Sequence, residues 1–318
     1  MFFHQASMQS NLERVLDYTT PSIPSQFLSK SEIRKLNRLW NPLDREKVEY
    51  FSLSDLWNSY DEWSAYGAGV PIRLANGHKI VQYYVPYLSA IQIFTSNSSI
   101  NYSREEAESA CETRDSCSDS FSDENESVSE KLLTWDGCSA EEGVLEQDSF
   151  WHPNDRLGFL NFEYIDKSSP YGRVPLTAKI RGLGQRYPGL MSLRSVDLSP
   201  ASWMAVAWYP IYHIPTGRSH KDLSTCFLTF HTLSSTFQDM DLEDDPVSTV
   251  RKERKEGERI SLPPFGLATY KMFGDVWVSD NNGRDQERLA SLFNIADSWL
   301  KQLSVNHHDF KYFARRSG

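Results

Sequence analysis

The chain has 318 residues, 39% of them hydrophobic and 13% aromatic, enough to bury a substantial core. Its formal charge of −10 is unevenly spread: between Ser103 and Asp148 fifteen acidic residues meet only Arg104, Arg114 and Lys131. The rest of the chain is close to neutral and carries no basic stripe, so no nucleic-acid partner is expected.

The start, Met1-Phe2-Phe3-His4-Gln5, has neither the basic opening nor the apolar stretch of a secretory signal. The long uncharged windows Ile80–Ser103 and Leu198–Gly217 are broken by prolines and polar residues, unlike a spanning helix. The expectation is a soluble, intracellular protein, cytoplasmic or nuclear, with no membrane partner. The sequons at Asn97, Asn101 and Asn125 then read as chance matches, and the four cysteines do not suggest a disulfide framework.

In chain order, an N-terminal arm (1–29) precedes helical spacing at Ile33, Leu36 and Trp40, stopped by Asn41-Pro42. Ser52 and Asp55 make a capping-box-like start for one helix whose Leu53, Leu56, Trp57, Tyr60 and Trp63 share a face, with Gly67 at its end. Two strands are predicted on either side of Pro86, at Lys79–Val85 and Tyr87–Phe94. The Ser-rich acidic tract 103–148 is too charged and too poor in apolar residues to offset its ordering entropy, and reads as a disordered insertion. Beyond it Leu157–Ile165 alternates, with Leu160, Phe162 and Tyr164 directed one way.

Pro175 opens a helix carrying Leu176, Ile180, Leu183 and Tyr187, stopped by Pro188-Gly189. The next run, Trp203 to Tyr212, has no polar face: Trp203, Ala205, Ala207 and Tyr209 alternate with Met204, Val206, Trp208 and Tyr212. A strand apolar on both sides belongs at the centre of a core. Cys226–Phe230 follows too closely for a crossover helix. A polar loop at 239–259, a strand at Ala268–Val278, and a helix striped by Leu289, Leu292, Phe293, Ala296, Trp299, Leu300 and Leu303 complete the chain. These elements predict an α+β fold: one domain (30–102 and 149–318) with a mixed or mainly antiparallel sheet of roughly six strands covered by helices.

Several blocks carry a family resemblance. They include Glu62-Trp63-Ser64-Ala65-Tyr66-Gly67-Ala68-Gly69-Val70-Pro71, Val81-Gln82-Tyr83-Tyr84-Val85-Pro86-Tyr87-Leu88 and Val206-Ala207-Trp208-Tyr209-Pro210-Ile211-Tyr212. With Ser10–Arg14, Ser195–Leu198, Cys226–Thr229, Gly266–Lys271 and His308-Asp309-Phe310, they resemble the plant family catalogued as domain of unknown function 789. The resemblance implies no activity and brings no catalytic residues, because the family has none assigned.

Linear motifs for nucleotide, serine-hydrolase or zinc chemistry are absent, and no cofactor or metal is expected. Asp197, His213, Arg218 and His231 form the best candidate catalytic set, with Arg194 and Arg218 as candidate anion ligands. The same residues read more simply as a turn cap, strand-edge histidines and a solvated loop arginine, the ordinary roles of polar residues near strand ends. His307-His308-Asp309 lacks the three- or four-residue spacing of paired ligands on a helix. In the acidic tract Ser103, Ser109, Ser116, Ser120, Ser127 and Ser139 each have an acid three positions on, a context for an acidophilic kinase; Ser116, Ser120 and Ser127 are the phosphorylation candidates. The first functional reading is a non-enzymatic interaction or regulatory protein that works through another protein. The second is an enzyme or small-molecule binder with a pocket beside strands 203–213 and 225–231.

Overall fold

A computed structural model describes residues 9–38, 40, 47–74, 76–96, 157–216, 221–235, 259–272, 276–278 and 283–315. The tract 103–148 and the loop 239–258 lie outside them. The N-terminal part runs α1 (Asn11–Tyr18), β1 (Ser22–Pro24), β2 (Gln26–Phe27), α2 (Lys30–Ile33), β3 (Glu49–Tyr50), α3 (Leu53–Ser59), α4 (Asp61–Tyr66), β4 (Ala68–Arg73) and β5 (Lys79–Thr95). After 156 come β6 (Phe159–Ile165), α5 (Leu176–Gly184), α6 (Gly189–Ser192), β7 (Trp203–Ile214), β8 (Cys226–Thr232), β9 (Arg259–Ser261), β10 (Gly266–Tyr270), α7 (Arg284–Gln302) and α8 (His308–Ala314).

Six strands form one antiparallel sheet in the order β10-β8-β7-β5-β4, with β6 also paired to β5. The fold is α+β, and β7 lies inside the sheet with an apolar layer on each side. Met204, Val206 and Trp208 join the larger core under α1, α3 and α5, while Trp203, Ala205 and Ala207 join a second core under α7 and α8. All six are fully buried. Gly266 lets α7 approach the sheet: a Cβ there would sit 2.9 Å from Ala296 Cβ. Among the described residues no helix is long and apolar enough to cross a membrane.

Five expectations change in detail. The helix predicted from Leu53 to Gly67 is two, because the chain breaks at Tyr60 between α3 and α4. The two strands around Pro86 are one strand of 17 residues. β4 pairs residues 79–84 of β5 and β6 pairs residues 90–95 on the same edge, so Pro86 falls in the gap, where a missing N–H need not break a ladder. The strand predicted at Ala268–Val278 stops at Tyr270, followed by Lys271 at φ 55. A bulge at Asn161 puts Leu160 opposite Phe94 and Phe162 opposite Ile93, so these two do not share a face. Another at Ile211 puts Tyr212 opposite Tyr83 and Tyr209 opposite Val85, so Tyr209 and Tyr212 lie on one face.

Candidate functional site

Two features stand out, one sealed and one open. The sealed one joins β5, the 166–173 turn and α8. A shift of register around Ser89 makes it the extra residue of β5, and its hydroxyl donates to Asp309 Oδ2 at 2.5 Å. Arg173 grips the same carboxylate with two nitrogens, at 2.5 and 2.8 Å, and donates twice to the Ser168 carbonyl. Asp166 faces Arg173 Nε at 3.7 Å and accepts from the amide and hydroxyl of Ser168. Arg173, Asp309, Ser89 and His307 are at most 7% exposed.

Burial alone would raise the Asp309 pKa, but the Arg173 hydrogen bonds and charge outweigh it and hold the carboxyl below its usual range. Ser89, His307 and Asp309 invite comparison with a hydrolytic triad. The proton positions oppose it. His307 Nδ1 accepts the Phe310 N–H at 2.9 Å as the N-cap of α8, so the neutral ring carries its proton on Nε2, 3.4 Å from Ser89 Oγ. A nitrogen that already holds a proton cannot take the serine's, and Asp309 bonds the serine rather than Nδ1. The cluster is a clamp that fixes the C-terminal helix. Removing the hydroxyl in Ser89→Ala should cost about 1–3 kcal/mol, since a buried carboxylate oxygen loses a donor. Urea unfolding measures this, and an unchanged midpoint would show that the hydroxyl contributes nothing.

The open feature is the sheet face on the side of α7 and α8, beyond the reach of those helices. By register this side of the sheet carries Gly69, Pro71 and Arg73 of β4, Lys79, Val81, Tyr83, Val85 and Tyr87 of β5, and Tyr209, Tyr212 and Ile214 of β7; Val85 is buried and Tyr209 packs against the second core, so the open part lies around Tyr83, Tyr212 and Ile214. In β4 the alternation is explicit: Ala68, Val70 and Ile72 are buried, while Gly69, Pro71 and Arg73 are half-exposed. The Tyr83 ring lies against Gly69, where a Cβ would meet it at 3.1 Å. It stacks on Tyr212 with centroids 4.6 Å apart, and Tyr87 meets Tyr209 edge-on at 5.6 Å. Tyr212 and Ile214 are 44% and 51% exposed.

Of the sequence candidates, Arg194 and Asp197 come together. Arg194 donates to both Asp197 oxygens at 2.8 and 3.0 Å, reaches Glu32 at 3.2 Å and lies over the Tyr50 ring. His231 is fully buried, with Nδ1 2.9 Å from the Leu262 carbonyl and Nε2 2.9 Å from Thr229 Oγ1. His213 lies opposite Gln82, and His231 lies opposite Met204, nine residues away along β7. At about 3.3 Å per residue these histidines are on the order of 30 Å apart. Arg218, Ser116, Ser120 and Ser127 lie outside the described residues.

Burial pushes the Cys226 thiol up to about 12, so it stays protonated and unreactive. Among the described residues no group of three or more His, Cys, Asp or Glu side chains is arranged to hold a metal ion. A shallow trough runs along the outer side of α7 from Glu287 to Gln302, and its described lining residues all belong to that helix.

The clamp and the tyrosine face depend on segments that also carry the sequence resemblance, and the comparison agrees. Residues 10–313 match the family described as protein of unknown function, DUF789. The chain belongs to DUF789. The match begins at Ser10, which caps α1, and ends at Phe313, a buried residue one short of the end of α8, so the DUF789 region takes in every strand and helix described above but for Ala314. No curated protein and no solved structure matches the chain.

Proposed function

We propose that this DUF789 protein is a non-enzymatic interaction protein, cytosolic or nuclear, whose open tyrosine face receives a partner protein. The acidic tract 103–148 is its phosphorylatable handle. The observation that carries the reading is the half-exposed face around Tyr83, Tyr212 and Ile214, an apolar aromatic surface next to a rigid core. Such surfaces supply contact area at low entropic cost, and tyrosine is enriched in binding hot spots. The buried polar groups favour the same reading. Ser89 and His307 are committed to internal bonds and sealed from solvent, and Cys226 is protonated.

The test uses Tyr212→Ser, which removes a half-exposed ring stacked on Tyr83 and should cost only about 0.5–1.5 kcal/mol, leaving the fold intact. Chemical cross-linking in cell extract, followed by mass spectrometry, compares the partners of the native and changed chains. The reading predicts that a defined set is lost while the fold is unchanged; identical sets would overturn it. Each phosphate on Ser116, Ser120 or Ser127 would add about −1.5 to −2 charges to a repulsive segment. Treatment with an acidophilic kinase should therefore modify these serines and alter the same set. Failure to modify them would remove the regulatory half of the reading.

A further inference from the structure

We propose that the outer edge of β6 is a second docking site, separate from the tyrosine face. It takes an extended segment of a partner protein as a seventh strand of the sheet, with a lysine or arginine of that segment opposite Glu163.

The first observation is the ladder. A strand with a free side presents a row of unpaired N–H and C=O groups, and a sheet normally closes such an edge. β4 shows how this sheet does so. The Asn11 side chain bonds both the amide and the carbonyl of Arg73, at 2.9 and 2.7 Å, and Arg14 reaches the Pro71 carbonyl at 3.4 Å. Pro71 itself has no N–H to offer. β10, at the opposite rim, is buried at Leu267 and Ala268. β6 has no such cover: its backbone pairs with β5 and makes no other hydrogen bond among the described residues.

The second is the side chains. β6 reads Phe159-Leu160-Asn161-Phe162-Glu163-Tyr164-Ile165, with no lysine and no proline to discourage an incoming strand. Phe159 and Leu160 are 52% and 47% exposed. The bulge at Asn161 bends the start of the strand and leaves residues 162–165 as its regular stretch. There the rings are held in place: Phe162 stacks on Tyr187 with centroids 4.8 Å apart, and Lys179 lies over the Tyr164 ring at 5.2 Å. An edge already ordered in this way loses little entropy when a strand is added, and main-chain hydrogen bonds supply the affinity.

The third is charge, which selects the partner. Glu163 is the one charged residue of β6; it is exposed and bonds only the neutral Gln92 amide, at 2.6 Å, among the described residues. A cation directly opposite it on an added strand is favourable, and an acid there is not. The same rule opposes a second copy of this chain. A symmetric antiparallel pair of β6 strands centred on Glu163 sets the two carboxylates face to face, and one centred on Phe162 or Tyr164 sets them on the diagonal. Either pairing also brings together two chains of charge −10.

The experiment titrates the full chain against a short, fluorescently labelled peptide of alternating valine and lysine, read by anisotropy. It should bind saturably and about tenfold more tightly than its valine/glutamate counterpart. Two further versions carry N-methyl groups on one or the other alternate set of amides. Only one edge of an added strand faces β6, so one version should lose binding and the other keep it, although both have the same charge. Glu163→Gln, which keeps an acceptor for Gln92, should weaken the valine/lysine peptide about threefold with an unchanged thermal unfolding midpoint. Hydrogen exchange should slow at residues 162–165 in the complex and not along β4. No saturable binding, equal binding of the two methylated peptides, indifference to Glu163→Gln, or unchanged exchange in β6 overturns the proposal. So does loss of the peptide on Tyr212→Ser, which would move it to the tyrosine face. Self-association of the free chain that protects the β6 amides would assign the edge to a second copy and overturn it as well.

Discussion

Trp208→Ala will lower the stability of the domain by about 3–5 kcal/mol, the usual cost of deleting a large buried aromatic side chain and leaving its cavity. Trp208 is fully buried in β7, with the Trp63 and Tyr60 rings centred 5.6 and 6.1 Å away. Its Nε1–H donates to Thr229 Oγ1 at 3.0 Å, so the substitution removes a buried hydrogen bond as well as volume. For a domain of this size the loss corresponds to a fall of the unfolding midpoint on the order of 10 °C. Differential scanning calorimetry measures it. A midpoint unchanged within about a degree would mean that the site repacks and that β7 is not the keystone its burial implies. Tyr212, four residues along the same strand, is 44% exposed, and its change to serine should cost only the stacking on Tyr83, about 0.5–1.5 kcal/mol.

That contrast was partly legible in the sequence. A run with no polar face can only be a strand covered on both sides, and β7 is one as far as Trp208. The stripe of α7 was equally plain, since seven apolar residues at helical spacing have one economical solution. Bulges were not legible. Nothing in Tyr209-Pro210-Ile211-Tyr212 says that one residue will be extra; that is decided by β5 across the ladder. Strict alternation therefore set Tyr209 and Tyr212 on opposite faces, and the tyrosine surface could not be assembled from the sequence. Pro86 misled for a related reason. It ends a strand that needs both edges, but the edge it would disrupt is vacant between β4 and β6.

The clamp was hidden by distance along the chain. Asp309 follows His307-His308, a string that reads as a failed metal motif, and its partners Arg173 and Ser89 lie 136 and 220 residues away. The only local signal was the capping pattern: His307 stands three residues before Phe310, whose amide it accepts, with Asp309 in the first turn. Arg194 and Asp197, three apart, were close enough in sequence to pair and did.

Stability should fall steeply on mild acidification, because two buried histidines are held neutral. Burial lowers the pKa of both His231 and His307 from 6.5 to about 4. Each ring is also fixed as a neutral tautomer. His231 donates from Nδ1 to the Leu262 carbonyl, which can only accept, so Nε2 must accept the Thr229 hydroxyl, and that oxygen in turn accepts from Trp208. A proton on Nε2 forces the Thr229 hydroxyl to turn to the Val206 carbonyl at 3.4 Å, a longer bond, and leaves a charge in the core. At His307 a proton on Nδ1 would confront the Phe310 amide it now accepts, against the charges of Arg173 and His308 and with help only from Asp309. Both folded pKa values are depressed, so in the window between 6.5 and about 4 the unfolded chain binds protons that the folded chain refuses. Folding free energy is therefore full above that window and drops through it with a slope approaching two protons, about 2.7 kcal/mol per pH unit. Below it the lowered carboxyls of Asp166 and Asp309 continue the loss, since their stabilisation disappears as they protonate. Urea midpoints at about pH 7, 6 and 5 give the slope. His231→Gln, which keeps polar atoms in the ring's place but cannot titrate, should halve it whatever its own stability. A profile flat between about pH 7 and 5, or a slope untouched by His231→Gln, would mean that these rings accept protons within the fold.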